Sequence, residues 1–113
     1  HGICHITGGG FVEKLPRAMG PACGAALRWG SWRVPPVFEY LRKKTGLNPR
    51  ESCGVFNMGI GFAIVVDPKD VVAAQVCLRS QKVGSFVIGK VIVDSKKKVS
   101  FYLRNSCYPQ AQE

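Results

Sequence analysis

The sequence predicts an α/β or α+β domain, a mixed sheet with helices packed on it. Three observations carry that expectation. Stretches rich in β-branched and aromatic residues recur at 55–66, 86–93 and 99–103, and such stretches suit strands. Before and between them, 37–44 and 71–79 space their apolar residues three and four apart, which is the helical period. Finally, 113 residues with 46% hydrophobic and 20% charged content make an ordinary globular chain with enough material for one core.

Taken in order, residues 2–7 are expected to form a short strand feeding a run of glycines. Phe11 and Leu15, four apart, make one helical turn that Pro16 interrupts, and 17–23 is loop. Residues 24–29 alternate as a strand, with Ala25, Leu27 and Trp29 on one face and Ala26 and Arg28 on the other. A turn at 31–36 leads to a helix over 37–44 that buries Val37, Phe38 and Leu41 and turns Glu39, Arg42 and Lys43 outward. A proline in its first turn and Gly46 just past its end delimit it. Asn48, Pro49 and Glu51 supply the cap, first-turn proline and third-position acid of a capping box, which starts a one-turn helix ending at Cys53. Residues 55–66 read as a long buried strand, broken by Gly59 and Gly61 where backbone must approach something closely. Residues 67–70 cap a helix with the apolar stripe Val72, Val76 and Leu78, Ala73 filling. After Gly84, strands at 86–93 and 99–103 are joined as a hairpin by a charged turn at 94–97. The domain therefore spans 1–104, and 105–113 is a tail.

Sixteen Lys and Arg against seven Asp and Glu give a net charge of +9, an excess that favours polyanionic partners such as RNA, acidic membrane or phosphorylated metabolites. The cations are scattered apart from Arg42-Lys43-Lys44 and Lys96-Lys97-Lys98, the candidate RNA contacts. Their plainer roles are to complement the carbonyl end of a helix and to keep a sheet edge charged. Neither triplet is interleaved with aromatics, as a stacking surface for single strands would be. Five cysteines, Cys4, Cys23, Cys53, Cys77 and Cys107, show no CxxC pair and leave one over. That spacing suggests no metal site and no dense disulfide framework, and points to reduced thiols in a cytoplasmic or mitochondrial or plastid matrix protein. Cys4 has His5 beside it, but on a strand the two face opposite ways. No apolar run reaches membrane-spanning length, because the one at 59–66 stops at Asp67-Pro68. The start inside a strand suggests that an upstream part is missing.

Chemistry is suggested by two glycine runs. In His5-Ile6-Thr7-Gly8-Gly9-Gly10 a strand ends in Thr and bare backbone, from which N–H groups can converge on an anion. Phe56-Asn57-Met58-Gly59-Ile60-Gly61-Phe62 repeats the theme of glycine embedded in apolar sequence.

Together with Trp32-Arg33-Val34-Pro35-Pro36-Val37-Phe38, these runs make the chain resemble the C-terminal domain of the phosphoribosylformylglycinamidine cyclo-ligase family, also called aminoimidazole ribonucleotide (AIR) synthases. The family pattern runs His-Ile-Thr-Gly-Gly-Gly, Asn-Ile/Leu-Pro-Arg, Trp-x-x-Pro-Pro-x-Phe, Phe-Asn-x-Gly-x-Gly and Ile-Gly-x-Val. The counterparts here are 5–10, 14–17, 32–38, 56–61 and 88–91. The resemblance implies that family's C-terminal fold, incomplete at its N-terminal side, and a ligase activity in purine biosynthesis. In that reaction ATP, with Mg, phosphorylates a formyl amide oxygen and the neighbouring amidine nitrogen closes the imidazole ring. It also implies a missing N-terminal half that holds most of the ATP and metal site, without which this chain would not turn over.

On this resemblance the substrate- or phosphate-binding residues are His5, Thr7, Gly8, Gly9, Gly10, Asn57, Gly59 and Gly61. Thr7 and the N–H groups of the three glycines would cradle a phosphate, helped by the helical turn that follows. His5 would orient the loop or touch the ligand, the plainer reading being a half-buried histidine satisfied by backbone. Asn57 would fix its loop through its amide, and Gly59 and Gly61 would admit backbone to the ligand or to the first loop, or simply allow tight packing. The chain departs from the pattern at Lys14 for Asn, Lys90 for an acid, Gly54-Val55 for Arg-Thr, and in its charge of +9. These departures suit an alternative: a non-catalytic basic subunit of an RNA–protein assembly such as a mitochondrial ribosome. A module that holds a phosphorylated metabolite without reacting it is a third.

Overall fold

The computed structural model describes residues 1–103 and 106–107. Its strands make two sheets. β1 (Gly2–His5) pairs antiparallel with β3 (Phe62–Val65) as a two-stranded ribbon. The second sheet has the order β4-β2-β5-β6, with β2 (Cys23–Arg28) antiparallel to β4 (Gly89–Val93) and parallel to β5 (Val99–Leu103). β6 (Ser106–Cys107), inside the stretch read as a tail, pairs back on β5. The rest of that tail, Asn105 and 108–113, lies outside the described residues.

One core joins the two sheets. Ile6, Phe11, Leu15, Ala25, Leu27, Trp32, Cys53, Met58, Ala63, Val99 and Phe101 are all buried. Phe11 and Phe101 are fully enclosed, each contributing roughly 1.5–3 kcal/mol by leaving water. α1 (Gly10–Lys14) continues into a 3₁₀ turn at Leu15–Ala18 that packs against β1, β2 and β3, and α3 (Pro49–Cys53) packs on α1. Pro16 thus opens a turn inside what was expected to be a break followed by loop, because a proline in a first turn forfeits no hydrogen bond.

The local signals for two helices hold. α2 (Pro36–Thr45) starts after Pro35 and ends at Gly46 in the left-handed region, φ 73°. Its Phe38 and Leu41 are half-buried, while Val37, expected inside, is exposed. At α3 the box is complete: Glu51 N–H donates to Asn48 Oδ1 at 2.9 Å, and Asn48 N–H donates to Glu51 Oε2 at 2.7 Å. Arg50 then donates to the Val99 carbonyl at 3.0 Å, tying α3 to β5.

Four expectations are corrected. The long buried strand over 55–66 shrinks to β3, since Met58 (φ 54°) and Gly59 (φ 96°) are left-handed and turn the chain before it. Phe62 and Ile64 then face outward. The expected strand over 86–93 begins only at Gly89, leaving Phe86 and Val87 exposed in irregular chain. No hairpin joins β4 and β5, because β2 lies between them. The connection crosses the start of β2 at Gly24, where any Cβ would press on the Lys98 carbonyl and on Asp94. Asp94 fastens the crossing, its N–H donating to the Ala22 carbonyl at 2.9 Å and its carboxylate accepting from Lys96 N–H at 2.9 Å. Lastly, α4 (Val71–Ser80) buries none of its residues, and Val72 and Val76 of the expected stripe stand exposed. Asp67 does not cap it; its carboxylate meets His1 Nε2 at 3.1 Å instead.

Among the described residues no helix is long and apolar enough to cross a membrane.

Candidate functional site

Both glycine runs follow from how the ribbon ends. Past His5 and before Phe62 the ladder continues by one bond, with Ile6 N–H donating to the Gly61 carbonyl at 2.8 Å. This places residues 5–10 directly beside 56–61. Beneath them, Trp32 donates its indole N–H to the Met58 carbonyl at 3.1 Å and packs on Phe11, centroids 5.5 Å apart. Gly59 lets the Pro35 ring lie where a side chain would be. Three of the five sequence motifs therefore form one cluster. Of the other two, 14–17 follows at the end of α1 and in the 3₁₀ turn, and 88–91 sits in the other sheet, where Gly89 admits the Ala26 carbonyl.

Within the cluster the expected residues divide. Thr7 and Gly8 are exposed, and a Cβ built on Gly8 would meet nothing. Gly9 is half-buried in the left-handed region, φ 90°, which favours glycine. Gly10 serves packing instead. It is buried, its N–H donates to the Thr7 carbonyl at 2.9 Å, and its missing side chain makes room for the Cys53 and Phe56 carbonyls. One of the three donors expected in the cradle is thus already spent. His5 faces solvent and stacks on Phe62 with centroids 4.7 Å apart. Asn57 does fix its loop, its Oδ1 accepting from Gly59 N–H at 2.9 Å. Gly61 approaches the first run through Ile6, and Gly59 approaches Pro35 rather than the open end.

A residue that motif reading passed over shapes the electrostatics. The Glu13 carboxylate lies over Gly9, in the space a Cβ there would fill. It is held by Arg17 at 3.2 Å and Lys14 at 3.7 Å. The signal was available, since Glu13 stands four residues after Gly9 and its N–H donates back to the Gly9 carbonyl, one helical turn away. Thr7 and Gly8 are therefore exposed beside a half-buried Gly9 that is overlain by one carboxylate and its two cations. An arriving anion would compete with Glu13 for the same space and the same cations.

Of the candidate RNA contacts, Arg42 and Lys44 have partners within α2 and at its end. Arg42 forks onto Glu39 at 2.6 Å and donates to the Leu47 carbonyl at 3.3 Å, beyond the end of α2. That hydrogen bond raises the Arg42 pKa and holds the Glu39 carboxyl below the usual carboxylate range. Lys44 sits 5.6 Å from the centre of the Tyr40 ring. Lys96, Lys97 and Lys98 belong to the crossing over β2, with Lys97 at φ 54°. Burial pushes the Cys53 thiol up to about 12 and raises Cys4 as well, so neither is a ready thiolate near neutral pH. Among the described residues no three of His, Cys, Asp or Glu gather as a metal cage. The Mg implied by the resemblance finds no ligand set among them.

A family model described as AIR synthase related protein, C-terminal domain, matches residues 1–101. Among curated proteins, the phosphoribosylformylglycinamidine cyclo-ligase of Bacillus licheniformis is 42% identical over 90 residues, covering 80% of this chain and 26% of the relative. That of Oceanobacillus iheyensis is 47% identical over 90 residues, with the same coverage of each. That of a Thermoanaerobacter species is 37% identical over 91 residues, 80% of this chain and 27% of the relative. The chain spans about a quarter of the length of the curated relatives it matches.

Proposed function

The chain belongs to the AIR synthase related family as its C-terminal domain, and from that premise we propose that it supplies one side of a cyclo-ligase site that closes formylglycinamidine ribonucleotide to aminoimidazole ribonucleotide. The relatives carry that enzyme's name, and the chain corresponds to only part of each. Its own contribution is to bind and orient. Thr7 and Gly8 are exposed at the end of β1, where a phosphate group of substrate or of ATP can approach Gly8 with no neighbouring side chain in the way, while at Gly9 it would have to displace the Glu13 carboxylate. Arg17 and Lys14 stand one turn further on, paired through Glu13, and supply positive charge once that carboxylate turns aside. ATP, when bound, supplies the phosphoryl group that activates the amide oxygen. Most of its site, and that of Mg, belongs to the part of the enzyme for which this chain has no counterpart. On this reading the chain works in the cytoplasm.

The observation that carries the reading is the pairing of the two glycine runs through Ile6 and Gly61, which leaves the Thr7–Gly8 backbone open at the ribbon's end. The test is to co-express the chain with the remainder of the Bacillus licheniformis enzyme and follow ATP consumption with formylglycinamidine ribonucleotide. Substituting Gly8→Val meets no neighbour and should spare the fold, yet bring a branched side chain to the point of approach. Turnover should fall about 100-fold, the scale expected for reactants misplaced by about 1 Å. No ATP consumption by the assembled pair, or turnover indifferent to Gly8→Val, sinks the reading.

A further inference from the structure

Resting on the reading of the chain as one part of a cyclo-ligase, we infer that the outer face of the β1–β3 ribbon docks the rest of such an enzyme, through an apolar strand-bearing segment that covers it. Register sets Ile3 opposite Ile64 and His5 opposite Phe62. These side chains share the outward face, with Ile3 63%, Phe62 61% and Ile64 49% exposed. The opposite face is already covered, with Ala63 buried and Gly2 pressed against the Ala18 carbonyl of the 3₁₀ turn.

A two-stranded ribbon is marginal in water and needs a third strand or a covering element. Neither β1 nor β3 pairs with any other described strand, so each offers an unpaired edge. An apolar ribbon with free edges is a template for further strand pairing. Charge then selects the occupant. The chain carries sixteen Lys and Arg, yet none of them lies in either strand. A phosphate backbone or an acidic membrane would find no Lys or Arg on either strand, whereas an apolar protein segment finds Ile3, Phe62 and Ile64. The length of the relatives supplies such a segment, because the match covers 26% of the Bacillus licheniformis protein and leaves the larger part without a counterpart. The face also runs directly into Thr7 and Gly8, so a segment seated on it borders the open end of the loop.

The test co-expresses the 113-residue chain with the Bacillus licheniformis cyclo-ligase lacking its matched segment, purifies through a tag on the chain, and weighs the product by sedimentation. A one-to-one complex is expected. Ile3→Lys and Ile64→Lys should each weaken it at least about tenfold, as loss of one buried aliphatic side chain implies. Val93→Lys, at a position 92% exposed on β4, should leave it unchanged. Circular dichroism checks that each variant folds, and a photo-crosslinker at position 62 should label the partner while one at position 93 should not. No recoverable complex, a complex indifferent to both lysines, or a self-dimer of the chain that the lysines dissociate each overturns the inference. The two readings fail separately. A lysine-sensitive complex that consumes no ATP removes the proposed function and keeps the docking face, while turnover by a lysine-insensitive complex does the reverse.

Discussion

At the scale of single residues, Glu13 decides how the glycine loop behaves. Its carboxylate fills the space over Gly9 and occupies Arg17 and Lys14. Replacing it by Gln keeps the shape and removes one negative charge from the point where an anion would arrive. Two unit charges about 4 Å apart repel by about 1 kcal/mol in water and more near a protein surface. Glu13→Gln should therefore tighten binding of inorganic phosphate about fivefold or more, read by titration calorimetry. Unchanged or weaker binding would mean that the carboxylate does not compete for the site. This residue was legible by counting from Gly9 to Glu13, one helical turn, but glycine motifs draw attention to the backbone and away from what leans over it. Gly10 shows the complementary case. It matches the motif as well as Gly8 does, yet its neighbours Cys53 and Phe56 come from 43 and more residues further on, and no local pattern announces them.

At the scale of elements, what reads correctly is what is local. Asn48, Pro49 and Glu51 sit within one turn of each other, and α3 begins with the reciprocal bonds they imply. Asn48→Ala removes one side of that box and should lower stability by about 1 kcal/mol. For a domain of about 100 residues this is a fall of about 4–8 °C in melting temperature, measurable by calorimetry. α2 was equally readable, since its prolines and Gly46 act over a few residues. Pairing partners were not. Strands at 86–93 and 99–103 with a charged turn between them satisfy every local condition for a hairpin. The structure inserts β2 between them, and Gly24, far earlier in the chain, leaves the room that the crossing needs. Met58 likewise hides its left-handed backbone behind an ordinary apolar side chain, which is why 55–66 looked continuous.

At the scale of the whole molecule, the two sheets differ in how well they are supported. Among the described residues, β2 lies between two partners and contributes buried Ala25 and Leu27, whereas β1 and β3 have one partner each and expose Ile3, Phe62 and Ile64. Opening free energy follows burial and the number of neighbours. In the isolated chain, amide hydrogens of Ala25 to Leu27 should exchange at least about tenfold more slowly than those of Ile3 to His5. Equal protection would show that the ribbon stands without a covering element. The basic surface fits this picture as a property of the exterior, with Arg42 turned to Glu39 and the end of α2.

The crossing over Gly24 also sets a schedule. β2 pairs Cys23 with Val93 and Ala25 with Val99, so both of its flanking strands leave the ribosome long after it does. Contacts this distant in sequence make assembly slow, because loop closure must be accomplished before pairing rewards it. A polypeptide arrested ahead of β4 would hold β2 with both edges bare, and the step that commits this domain to its topology is the closing of residues 94–98 across a strand made long before.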